Sequence, residues 1–210
     1  MDNSLDTGSQ PTDNQDKLSY TQHSMFEFDE KTLKDTSSSL GDDEKQNLWI
    51  SDSSSLKSVM IDEQVIDVFD VAAYILSKIG TMTTMKLQKL VYYCQAWSLV
   101  WDEKLLFKEN IEAWANGPVV RELFAYHQGM FQISSVSIGN PDLLNDDQKE
   151  TVDAVIEYYG NKPSQWLIDL THMEGPWKKA RVGLPVSSRC DRVITLEDMA
   201  EYYSSLPPES

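Results

Sequence analysis

The chain has 210 residues, 40% of them apolar and 25% charged, with a formal net charge of −16, which fits one ordinary domain or one domain with a tail. The acidic excess holds throughout: residues 1–64 carry 14 acids against 5 lysines, and residues 65–210 carry 20 acids against 13 bases. A surface of that sign repels phosphate backbones, whose binding needs clustered Lys and Arg, so the balance excludes nucleic acid and favours a protein partner with a basic face.

Residues 1–60 hold 15 apolar side chains and 12 serines, and no alanine occurs before Ala72. Such a segment buries too little apolar surface to offset its conformational entropy, so residues 1–64 are expected to be a disordered acidic, Ser-rich extension. Two apolar islands interrupt it, "YTQHSMFEF" at Tyr20 and "NLWI" at Asn47. They read either as loosely packed segments or as pieces that fold on a partner. The N-terminus has neither the charged nor the apolar region of a secretory signal.

Order is expected from Val65. "VIDVFDVAAYILSKIG" places Val65, Phe69, Ala72, Ala73, Leu76 and Ile79 at helical spacing, with Gly80 as a stop. The longest helix candidate follows, capped by Thr83 or Thr84. Leu87, Leu90, Val91, Cys94, Trp97, Ser98 and Trp101 form its stripe, while Tyr92, Tyr93, Leu99 and Val100 lie off it. A helix apolar over so much of its circumference should be central. Cys94 reads as a small buried hydrophobe, and Cys94 and Cys190 without a CxxC pair suggest a reducing compartment.

"KLLFKENIEAW" reads as two short strands joined at Lys108-Glu109-Asn110. Pro118 suits the first turn of a helix running through Val119, Val120, Leu123, Phe124 and His127 to Gly129. "FQISSVSIG" alternates like a strand. Asn145 precedes a helix ending at Gly160, Ser164 opens another, Pro176 opens a further turn, and Thr195 with Asp198 forms a capping box before the last. The expected fold is therefore mainly α: a compact helical domain over residues 65–205 with a minor β element. No apolar run approaches bilayer length, so a cytoplasmic protein is expected.

Several residues admit two readings. Lys86 and Lys89 are either a solvated face or paired with a buried acid or a partner. Trp97, Trp101 and Trp114 supply core area, and Trp114, just before a turn, also suits a partner contact. Gly117 and Pro118 are architecture first, Gly for a positive φ and Pro for helix entry. Alternatively their turn exposes helix N–H groups to an acidic group or phosphate, with Arg121 adding charge one turn later. His127, His172, Glu174 and a cysteine match no zinc spacing, so no metal or cofactor is expected. No nucleophile motif stands near His172, which argues against an enzyme and suits a residue that caps or orients a helix end before Gly175-Pro176.

"VAAYIL", "KLQKLVYYCQAW" and "LLFKENIEAWANGPVVRELF", followed by "THMEGPWKKA" at Thr171–Ala180, together resemble the Panacea domain, the SocA-like and GepA-like family associated with phages and mobile elements. The resemblance spans Val65 to Tyr203 and leaves the Ser-rich extension out. It implies a non-catalytic antitoxin that neutralises a cognate toxin by direct binding, the toxin being encoded nearby and often a translation inhibitor. One branch implies instead an adaptor that delivers its bound partner to an ATP-dependent protease. On this basis Lys86, Trp114, Arg121, His172 and Trp177 are candidate partner-binding residues. Trp97, Gly117, Pro118 and Pro176 are the structural signature.

Overall fold

A computed structural model describes residues 66–206; the expectations for the N-terminal extension and its apolar islands fall outside them. Seven α-helices and four short strands make this part mainly α with a minor β element. The helices are α1 (Val68–Ile79), α2 (Thr84–Trp101), α3 (Arg121–His127), α4 (Asp146–Tyr159), α5 (Ser164–Met173), α6 (Gly175–Ala180) and α7 (Leu196–Ser204). The strands are β1 (Met82–Thr83), β2 (Ile111–Trp114), β3 (Gly117–Val120) and β4 (Gln132–Ile133).

Helix starts follow from their caps. Asp67 accepts from the amides of Phe69 and Asp70 while Asp70 accepts from the Asp67 amide, a reciprocal capping box. Thr83 caps α2 through the Lys86 amide, Asn145 and Gln148 form a second reciprocal box at α4, and Thr195 caps α7 through the Asp198 amide. Gly80 ends α1 at φ 73°, a conformation costly for any residue with a Cβ.

Helix α2 is the axis of the fold. Every side chain from Leu87 to Leu99 is buried, because α1, α4, α5, α7 and β3 all pack against it. Trp97 is core, as expected, stacked on half-buried Trp101 at 4.8 Å. Cys94 is free and buried. Polar groups brought inside by this packing mostly find partners, though Gln95 Nε2 has none. Gln88 Oε1 accepts from the Val120 amide at 2.8 Å, and Gln95 Oε1 accepts from the amides of Leu106 and Phe107.

Three local expectations need correction. Pro118 does not open a helix: residues 117–120 form β3, paired antiparallel with β2 from Ile111↔Val120 to Trp114↔Gly117. Pairing with Ile111 and the Gln88 carboxamide hold Val120 extended, so α3 starts only at Arg121. The turn therefore presents no array of helix N–H groups. The face of α1 is also wider than its sequence stripe. Ile79 is exposed and Phe69 half-buried, while Asp70 is buried and accepts from the Asn140 amide at 2.7 Å. The Pro141–Leu143 turn packing on α1 covers that side. Finally, of the two strands read in residues 104–114, only the second is a strand; Phe107 makes a single bridge to Ile66.

Candidate partner-binding surface

The β2–β3 hairpin and the corner between α5 and α6 meet over α2. Period-two alternation puts Glu112 and Trp114 on one side of β2. Glu112 accepts from Trp114 Nε1 at 2.7 Å and from both Arg121 Nε and Nη2 at 2.7 Å. That two-pronged ion pair lies under an exposed guanidinium, itself 5.9 Å from the Trp114 ring centroid. Phe124 meets Trp114 edge-on at 4.7 Å.

Across the hairpin, Trp177 Nε1 donates to the Trp114 carbonyl at 2.9 Å. The half-buried His172 ring stacks on Trp177 at 4.2 Å, and the Arg181 guanidinium lies 5.0 Å from the same ring. Arg181 is buried and finds carbonyl oxygens only: Ala113 at 2.7 Å, then Pro185, Val186 and Ser188. Burial, then the nearby Lys89 charge, lower the His172 pKa. His172 Nε2 and Arg181 Nε are buried without a hydrogen-bond partner.

Beneath the hairpin lies Lys89, wholly buried, its Nζ donating to the Pro118 carbonyl at 2.8 Å. Its partner is a carbonyl rather than the acid or partner protein considered from sequence, and burial pulls its pKa down to about 7. Gly117 sits directly over it at φ 94°. A Cβ there would lie 2.7 Å from Lys89 Cε and 2.7 Å from Thr171 Oγ1. Both the positive φ and the lack of room demand glycine.

At the α5–α6 corner Glu174 turns inward. Its carboxyl group lies 2.8 Å from the Tyr203 hydroxyl and 3.2 Å from that of Tyr93, inside a cluster that also holds Tyr92 and Tyr159. Burial pushes its pKa up to about 8, against the downward pull of those hydroxyls. Gly175 follows because a Cβ would lie 2.7 Å from the Tyr202 ring, and Pro176 enters α6 in its first turn.

The structure thus brings Trp114, Arg121, His172 and Trp177 into one neighbourhood. Lys86 stands apart, donating to the Gly160 carbonyl at the end of α4. Sequence reading missed Glu112, although its position two residues before Trp114 is the signal that pairs them. It also missed Arg181, which nothing local marks as buried. Among the described residues no group of three or more His, Cys, Asp or Glu is placed to hold a metal ion, and no helix is long and apolar enough to cross a membrane.

Residues 87–178, from α2 into α6, match the family model described as antitoxin SocA-like, Panacea domain. That stretch is similar to the Panacea domain. Its limits take in most of α2, the hairpin and the α5–α6 corner, so the Panacea match contains Trp114, Arg121, His172 and Trp177. The Panacea family carries an antitoxin-type role in general, with a toxin as partner. No curated protein and no solved structure matches the chain.

Proposed function

We propose that this protein is the antitoxin of a toxin–antitoxin pair and neutralises its toxin by direct contact through the hairpin–corner surface, without catalysis. The observation carrying the proposal is the Panacea match over the elements that gather Trp114, Arg121, His172 and Trp177. The half-buried Trp114 indole and the exposed Arg121 guanidinium fixed on its carboxylate form the kind of rigid aromatic and arginine anchor that dominates protein interfaces, with the buried Trp177 supporting them from beneath. The proposed toxin is the product of the adjacent reading frame, acting on translation.

The test is co-expression in cells. The adjacent product alone should arrest growth, and the wild-type chain should restore it. Arg121→Ala, which leaves Glu112 bonded to Trp114, should weaken rescue while the melting curve keeps its cooperative shape. A harmless neighbour, or arrest that persists beside the wild-type chain, would refute the antitoxin reading. Following the toxin's half-life in rescued cells separates sequestration from delivery to a protease: an unchanged half-life excludes the adaptor. Rescue by His172→Ala with partner binding retained excludes a catalytic role for that imidazole.

A further inference from the structure

The small sheet has a third, shorter edge. The Ala113 amide donates to the Arg192 carbonyl at 2.9 Å and the Ile194 amide to the Ile111 carbonyl at 2.8 Å, flanking the antiparallel bridge Glu112↔Val193. In that pattern the amide and carbonyl of Val193 point away from β2, and among the described residues neither has a partner. An open edge of this kind templates the addition of another strand.

What surrounds the edge is apolar and positive. Val182, Val186 and Val193 are 70%, 64% and 43% exposed, so among the described residues half of the exposed Val, Leu and Ile side chains belong to residues 181–193. Two arginines tie this segment to the sheet. Arg192 Nη1 donates to the Val182 carbonyl at 2.9 Å, and Arg181 donates to both Val186 and Ala113. Arg181 and Arg192 are held by carbonyl oxygens rather than carboxylates, and Arg189 is exposed. Arg181 is buried, so the exposed charges are those of Arg189 and Arg192, against a single acid in the segment, Asp191, in a chain whose net charge is −16.

We propose that the edge at Val193, with Val182 and Val186 beside it, docks an extended segment of the toxin in which apolar side chains alternate with acidic ones. The inference rests on the antitoxin reading and specifies its partner's chemistry. Strand addition supplies main-chain hydrogen bonds, alternate apolar side chains cover the valines, and the acids between them meet Arg189 and Arg192. This reverses the expectation from overall charge, which favoured a basic partner.

The probe is the purified product of the adjacent reading frame, titrated against the full chain and against Val186→Asp and Arg189→Glu, whose side chains carry no internal hydrogen bond. Each variant should weaken binding about tenfold or more, equivalent to roughly 1.4 kcal/mol, with unchanged circular dichroism. The Val193 amide should become protected from hydrogen exchange in the wild-type complex. Wild-type binding with both variants unaffected and Val193 unprotected overturns the docking edge and leaves the antitoxin reading standing. No binding by the wild-type chain overturns both. Self-association of the isolated chain, lost in Val186→Asp, overturns it in favour of a second copy at the same edge.

Discussion

Gly117 shows how one residue joins folding to the surface. Its φ of 94° lies where L side chains are disfavoured, and its missing Cβ leaves the space that Lys89 Cε and Thr171 Oγ1 occupy. Gly117→Ala therefore meets two penalties, backbone strain of about 1–2 kcal/mol and displacement of a buried lysine from the Pro118 carbonyl. We expect a loss of roughly 2–4 kcal/mol, read as a lower urea midpoint with little change in the slope. A midpoint within error of wild type would mean that the hairpin relaxes freely over Lys89. Trp114 differs in kind. Its ring is half-buried between Arg121 and Phe124 while its carbonyl holds Trp177, so a side-chain change leaves the backbone tie to α6 in place.

At the scale of elements, the hairpin is held to α2 by polar contacts as much as by apolar ones. Gln88 accepts from the Val120 amide, donates to the Val120 carbonyl at 3.3 Å, and lies 3.0 Å from His127 Nε2. Gln88→Leu fills the same space but strands a buried amide, which costs about 1–3 kcal/mol. Hydrogen exchange at Val120 should accelerate together with that loss, whereas exchange along α4 should follow global stability alone. Equal acceleration at Val120 and α4 would sink the local account. These contacts also mark where the sequence was legible. Caps at Thr83, Asn145 and Thr195, the stop at Gly80 and the all-round burial of α2 follow from local chemistry and periodicity. The strand 117–120 does not, because a proline at a helix entry and a proline in a strand read alike until Gln88, 29 to 32 positions away, fixes the backbone. Glu112 was within reach through its two-residue spacing from Trp114. Arg181 was not, since its carbonyl partners are brought together only by the folded loop.

For the whole molecule, two buried ionisable groups set opposing pH dependences. Glu174 carries its proton until about pH 8, whereas in the unfolded chain it loses it near 4.5. Between those values the native state binds more protons, so stability falls as pH rises, by at most about 1.4 kcal/mol per pH unit. Lys89 acts in the other direction. Its native amine is neutral above about pH 7 while the unfolded amine stays charged to 10.5, so stability rises with pH over that window. The two limbs meet near pH 7–8, where their sum is least favourable. Glu174→Gln keeps an acceptor for the Tyr203 and Tyr93 hydroxyls and abolishes the acid limb. Its stability relative to wild type should therefore increase steadily from pH 5 to pH 8 and level off beyond. Lys89→Met should show the mirror image: its difference from wild type is constant below pH 7 and turns increasingly unfavourable to the variant from pH 7 to pH 10. Urea midpoints of wild type and both variants from pH 5 to pH 10 give the two difference curves, in which the many exposed acids common to all three proteins cancel. A Glu174→Gln difference that stays flat from pH 5 to pH 9 would mean that the tyrosine cluster stabilises the carboxylate as well as the acid.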